Sequence, residues 1–327
     1  MQSLASQIHR PVLITGVQGM IGRRVARLLE QRGRVVLGLD IRPGAWTPRA
    51  GGAFCLGDVR DPGLLAELVP QGGSVLHLAS VVGVVEVLRR PAECYDVSVR
   101  GTEALLERCR ERGARVLFTS SSEVYGDGLD ADGRAHQLAE ARPLPESYGS
   151  WPRAAYPEGK RRAEEQVLDW DLGRVARLFN VSGPGQSADS GMVLPTFVRA
   201  CLEGRPLPVV GQGRDLRCFQ HVDDAAEALV KFVDAPAGVQ RLLNIGGEER
   251  WTIADLAIEV QRILERPVGI RSVSAEERYG GPAGGCQHRE PDLRALQREL
   301  GHRARRRMHE IVMDLALDLR PLSRSAV

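Results

Sequence analysis

Lysine is almost missing from this chain: of its 44 Lys and Arg residues only Lys160 and Lys231 are lysine. Charge of one sign is missing too, because 42 acidic residues leave a net +2, and the basic residues are spread along the chain. That argues against a general nucleic-acid binder. No apolar run approaches the roughly 18 to 20 residues of a membrane span, so a soluble protein is expected. The cysteines Cys55, Cys94, Cys109, Cys201, Cys218 and Cys286 form no Cys-x-x-Cys pair, which argues against a zinc site and a disulfide framework. They read as reduced thiols, and no metal is expected. The opening MQSLASQIHRPVLITG lacks an apolar h-region with a cleavage site, so a cytoplasmic location is expected.

What is present is a chain of 327 residues, roughly two domains' worth at about 150 each. Strand-like runs alternate with helix-period segments through its first half. Val12 to Thr15, Val35 to Asp40, Ser74 to Leu78, Arg115 to Thr119 and Arg174 to Leu178 read as strands. Arg23 to Gln31, Leu64 to Leu68, Gly101 to Arg110 and Lys160 to Trp170 read as helices. Strands that are apolar on consecutive residues are buried on both faces, so the fold class is α/β, a doubly wound parallel Rossmann sheet. After about Asn180 the pattern loosens into short segments between GPGQ, EGRPLP, VGQGRD and GGPAGG. The expectation is a cofactor domain over 1–180, with strands near 215–247 (Cys218 to Val222, Leu242 to Ile245) returning to it, and a smaller lobe over 181–327.

The first strand runs into Gly16-Val17-Gln18-Gly19-Met20-Ile21-Gly22 and a helix follows. Glycines at such a turn let the backbone approach a pyrophosphate at the helix N-terminus. Asp40 ends the second strand, where an acid accepts from ribose hydroxyls and repels a 2′-phosphate. NAD is therefore favoured, while Arg42 keeps NADP open. Gly57-Asp58-Val59 fits an adenine contact, or else an ordinary turn.

Tyr156 and Lys160 stand four apart where a helix is expected to begin at Pro157, so both can project to one side. An ammonium near a phenol favours phenolate and prepares a general base. Such pairs are usually surface pairs. Lysine here, in a chain that writes arginine almost everywhere, argues for function, whereas Lys231 reads as a surface residue.

From Thr119-Ser120-Ser121-Ser122-Glu123-Val124-Tyr125-Gly126 onward the chain resembles the extended short-chain dehydrogenase/reductases, nucleotide-sugar branch. The match runs from about Val12 to Leu296. It includes His77-Leu78-Ala79-Ser80, Gly101-Thr102, Arg177-Leu178-Phe179-Asn180, Gly183-Pro184, Arg217-Cys218-Phe219 and Asn244-Ile245-Gly246-Gly247. The resemblance implies NAD as cofactor, with Leu78, Ala79 and Ser80 among the residues that bind it, a nucleotide-sugar lobe, and a homodimer formed through the helices of Gly101 and Lys160. It also implies an opening step in which Tyr156 takes the sugar 4-hydroxyl proton while the C4 hydride leaves.

Within that branch the chain is similar to UDP-glucuronate decarboxylases. A 4,6-dehydratase carries Thr-Asp-Glu before Val-Tyr-Gly, and this chain has Ser121-Ser122-Glu123; an epimerase generally lacks the glutamate. Pro152-Arg153-Ala154-Ala155-Tyr156 and His288-Arg289-Glu290-Pro291 resemble stretches of a decarboxylase that releases its 4-keto-pentose. The resemblance gives Arg153 and Asn180 to the substrate, Arg217 to its diphosphate and Arg289 to a proton-donor position. Ser121 falls to the C4 oxygen, and Ser122 and Glu123 to the carboxylate. Val87 and Ser98 depart from the pattern, which has tyrosine and asparagine there. Loss of CO2 from UDP-glucuronate through C4 oxidation is the expected reaction, giving UDP-xylose, UDP-4-keto-pentose or both. A 4-epimerase, a 4,6-dehydratase and a non-catalytic NAD-sensing protein are the alternatives.

Overall fold

A strand covered on both faces needs apolar residues at every position, and β1 (Val12–Thr15) shows where they go. Val12 and Ile14 enter one core and Leu13 the opposite one. The chain is described here by a computed structural model over residues 10–130, 132–282 and 286–320. Residues 1–9, where the missing h-region was read, and 283–285, in the GGPAGG stretch, lie outside the described residues.

After β1 come α1 (Met20–Gln31), β2 (Val36–Asp40), β3 (Ala53–Leu56), α2 (Pro62–Leu68), β4 (Ser74–His77), α3 (Val84–Arg89) and α4 (Pro91–Arg112). Then follow β5 (Arg115–Ser121), a 3-10 turn (Ser122–Tyr125), α5 (Ala155–Leu168), β6 (Gly173–Leu178), β7 (Asn180–Ser182), α6 (Val193–Leu202), β8 (Leu207–Val210) and β9 (Leu216–His221). The remainder is α7 (Val222–Asp234), β10 (Leu242–Ile245), β11 (Arg250–Thr252), α8 (Ile253–Ile263), β12 (Ile270–Val273), α9 (Ala275–Tyr279), β13 (His288–Arg289), α10 (Arg294–Leu300) and α11 (Met308–Leu319).

The central sheet has seven parallel strands in the order β10-β6-β5-β4-β1-β2-β3. Helices α1 and α7 cover one face through Val25, Leu29, Leu229 and Phe232. Helices α2, α4 and α5 cover the other through Leu65, Leu105, Leu106, Ala163 and Val167. A separate core joins α6, α8 and α11 through Phe197, Leu256, Val260, Ile311 and Leu315. Among the described residues no helix is long and apolar enough to cross a membrane.

Three local expectations need correction. The strand at 216–221 does not rejoin the main sheet: the free edge of β6 is taken by β10, and β9 instead pairs with β7, β11 and β13. Helix α4 starts at Pro91, not near Gly101, because a proline in the first turn loses no hydrogen bond and starts a helix readily. For the same reason α5 runs through Pro157 from Ala155.

The carboxyl ends of β1, β2, β4, β5 and β6 meet at one edge, where open α/β sheets hold ligands. Phe179 alone separates β6 from β7, so Asn180 stands where the chain leaves the main sheet for the smaller one.

Candidate active site

The turn after β1 is built for close approach. Gly16 has φ +73, and a Cβ on it would lie 2.9 Å from the Ala79 nitrogen. A Cβ on Gly22 would collide with the Gly16 carbonyl. Gly19 caps α1 with no side-chain hydrogen bond, so the first-turn amides, those of Met20 and Ile21 among them, are left for an anion. Buried Asp40 accepts from the Gln18 N–H at 2.9 Å and the Arg42 N–H at 3.1 Å. The Gln18 side chain turns to Trp46, and the Arg42 side chain is exposed. Ser80 Oγ is buried without a partner, as is Asn180 Oδ1, the condition of groups that await a ligand. A dinucleotide with a free ribose fits this cradle.

Asp58 is held by Arg60, which lowers its carboxyl and also reaches Asp96 at 2.7 Å. Val59 is buried in the core beneath Gly101, where a Cβ would come within 2.7 Å of it.

Ala79 is fixed by a buried chain of hydrogen bonds that the sequence did not disclose. Thr102 donates to the Ser98 carbonyl at 2.6 Å, so its oxygen accepts from His77 Nε2 at 3.2 Å. His77 Nδ1 must then accept from the Thr15 hydroxyl at 2.7 Å, whose oxygen takes the Ala79 N–H at 3.2 Å. Burial, aided by the Lys160 charge, pushes His77 down to about 3, so the imidazole is neutral and the chain keeps one sense.

At the ends of β5 and α5 the titratable groups converge. Lys160, only 2% exposed, donates to the Thr119 carbonyl at 2.9 Å. Its ammonium lies 4.6 Å from the Phe118 ring centre and 5.9 Å from that of Tyr156. Burial draws it down to about 8. Burial and the Glu123 charge push the Tyr156 phenol above its ordinary value, against a hydrogen bond with Ser121 that lowers it. Burial thus outweighs the charges around Tyr156, and the hydrogen bond of the Lys160 ammonium goes to the Thr119 carbonyl.

Ser121 also accepts the Glu123 N–H at 3.2 Å, and buried Ser122 opens the 3-10 turn. Burial pushes Glu123 up, but Arg289 at 3.1 Å and Arg153 at 2.9 Å outweigh it and bring the carboxyl to about 2. Glu123 in turn raises Arg289 above its ordinary value despite burial, so that guanidinium keeps its proton. Arg217 is register neighbour to Arg289 on β9 and β13, and it donates to Asp215 at 3.0 Å and to the Gln287 carbonyl at 3.2 Å. Two arginines thus hold one buried carboxylate, and a third stands beside Arg289 in register. Cys94, which no motif marked, donates to the Val81 carbonyl at 3.6 Å, and burial pushes its thiol up to about 11. Val87 is buried in α3, and Ser98 Oγ is buried without a partner beside Gly159.

Comparison with known proteins places this geometry. The chain is 30% identical over 269 residues to UDP-glucuronic acid decarboxylase 1 of Arabidopsis thaliana, covering 78% of this chain but only 58% of that relative. It is 29% identical to UDP-N-acetyl-alpha-D-glucosaminuronate decarboxylase of Bacillus cytotoxicus, covering 87% of this chain and 90% of the relative. A solved structure of MoeE5 in complex with UDP-glucuronic acid and NAD superposes with TM-score 0.79 at 28% identity, covering 94% of this chain and 98% of that one. Residues 12–246, from the start of β1 to just past β10, match the profile of the NAD dependent epimerase/dehydratase family, and the chain belongs to that family.

Proposed function

We propose that this protein is an NAD-dependent decarboxylase of UDP-glucuronate, acting through oxidation at C4. The observation that carries the reading is the ionised Glu123 held between Arg153 and Arg289, with Arg217 beside them. The surplus of guanidinium charge suits a sugar that carries both a diphosphate and a carboxylate. Residues 1–180 form the cofactor domain in this reading and 181–327 mainly the sugar lobe.

Gly16, Gly19, Gly22, Asp40 and Ser80 would hold NAD, which would supply the acceptor for the C4 hydride. Tyr156 takes the 4-hydroxyl proton, and Ser121 holds the C4 oxygen through the proton transfer. Lys160 steadies the phenolate electrostatically. The resulting ketone is β to the carboxylate, so the C5–C6 bond breaks with its electron pair passing to the C4 oxygen as enolate, and CO2 departs. Arg289 stabilises that negative charge as a fixed cation, and the proton that closes C5 comes from water. Arg153 orients Glu123 and the sugar carboxylate, Ser122 supports that end, and Asn180 and Arg217 hold the diphosphate side.

The relative from Bacillus cytotoxicus favours a second substrate, the 2-acetamido uronate of UDP. Incubation of each uronate with NAD, with CO2 and sugar product measured, separates the two. Sugar conversion without CO2 points instead to a 4-epimerase or dehydratase. A cytoplasmic homodimer packed through the exposed faces of α4 and α5 completes the proposal. Sedimentation of the protein tests its dimeric part: a monomer at working concentration contradicts it.

A further inference from the structure

The stretch after Asp40 is unusually well fastened. Trp46 is buried although its neighbours Ala45 and Thr47 are exposed, and its ring lies over Gly38 of β2 and edge-on to Phe54 at 6.4 Å. Its backbone is gripped from both sides by one side chain: Gln18 Nε2 donates to the Trp46 carbonyl at 2.8 Å, and the Trp46 N–H donates to Gln18 Oε1 at 3.0 Å. Both functions of the Gln18 amide are thus satisfied inside the protein. The Gln18 backbone N–H holds Asp40 Oδ2, while the Arg42 N–H, from the gripped stretch, holds Oδ1. Gly44 lies against the same amide, where a methyl group would collide with Gln18 Oε1.

We propose that Gln18 is a specificity-determining positioning residue, whose side chain latches residues 42–46 to the glycine turn and so locks Asp40 in the orientation that rejects a 2′-phosphate. The inference rests on the reading of Asp40 as the ribose acid. Its physical basis is competition between two neighbours. Arg42 has an exposed guanidinium two residues from Asp40, and a loop free to shift would let that cation meet a 2′-phosphate while the carboxylate swings aside. The latch prevents the shift because residues 42–46 cannot move without breaking both Gln18 bonds. Selectivity then comes from holding the acid still as much as from the acid itself.

The test is a set of binding titrations with NAD and NADP on the full-length protein, alongside thermal melting. Gln18→Ala removes the latch from one side, and Gly44→Ala, at an exposed position, pushes it open from the other. Each is expected to reduce the NADP-to-NAD ratio of dissociation constants by about tenfold, the scale that one or two neutral hydrogen bonds enforce. Asp40→Ala should lower the ratio further, and adding Gln18→Ala to it should change nothing more, because Gln18 acts through Asp40. Equal loss of both affinities with the ratio preserved in folded variants would show a merely structural contact and overturn the latch. Additive effects in the double variant overturn it as well. A wild-type protein that shows no preference for NAD, or an Asp40→Ala variant with the wild-type ratio, overturns the reading beneath it together with the latch.

Discussion

Arg153 donates to both carboxylate oxygens of Glu123, at 2.9 and 3.2 Å, and Glu123 is buried. Together with Arg289 it keeps Glu123 ionised: the carboxyl falls from 4.5 to about 2 on folding. A depressed acid contributes stability that is present above 4.5 and lost as pH falls through about 2. Glu123→Gln leaves two buried guanidiniums without their counter-charge, and such a break costs about 3–5 kcal/mol near pH 7. Denaturant unfolding of both proteins as pH is lowered should show the gap closing between these limits. A gap independent of pH would mean that Glu123 is not the ionised partner.

Lys160 carries the opposite sign. Burial lowers it from 10.5 to about 8, so between those values the unfolded chain binds the extra proton and stability rises with pH. Below about 8 the folded state bears the full cost of a buried ammonium. Lys160→Met should therefore be more stable than wild type near neutrality, by a margin that shrinks toward pH 10, and should lose sugar oxidation. Melting temperatures at pH 7 and 10 check the first part; a variant less stable at pH 7 than at pH 10 relative to wild type contradicts it.

Tyr156→Phe removes the proton acceptor and leaves the glycine turn untouched. Affinity for NAD should stay within about threefold, and turnover should fall by more than a hundredfold, the scale of general-base loss. Turnover within about tenfold of wild type, a barrier change of roughly 1.4 kcal/mol, would remove Tyr156 from the mechanism.

The doubly wound sheet was legible because Val12 to Thr15 and Arg115 to Thr119 are apolar on consecutive residues, a pattern that burial on both faces requires. Where β9 would pair was not, since that depends on a contest with β10 for the edge of β6, settled only in three dimensions. Each member of the Glu123, Arg153 and Arg289 cluster was marked by resemblance. Their mutual pairing was hidden, because Arg289 arrives on β13 from the far end of the chain. Lys160 was marked by its rarity, yet its bond to Thr119 depends on how α5 seats against β5. His77 and Thr102 fell within stretches marked by resemblance, but that they join through a hydrogen-bond chain with Thr15 on β1 depends on how β1, β4 and α4 pack.

Val87, buried in α3, offers no hydrogen bond to a sugar, and Arg153 and Arg289 lie in stretches similar to a ketone-releasing decarboxylase. Some UDP-4-keto-pentose should therefore escape before hydride returns, since re-reduction needs the ketone to stay at hydride distance. With excess NAD, absorbance of reduced nicotinamide should accumulate during turnover. Stoichiometric UDP-xylose with no such absorbance would contradict release while leaving decarboxylation in place.

The central claim is tested most directly by incubating the protein with NAD and UDP-glucuronate labelled at C6, and measuring labelled CO2 against sugar consumed. One CO2 per sugar consumed, abolished by Tyr156→Phe, is the predicted result. Consumption of the sugar with the label retained in the product would contradict it.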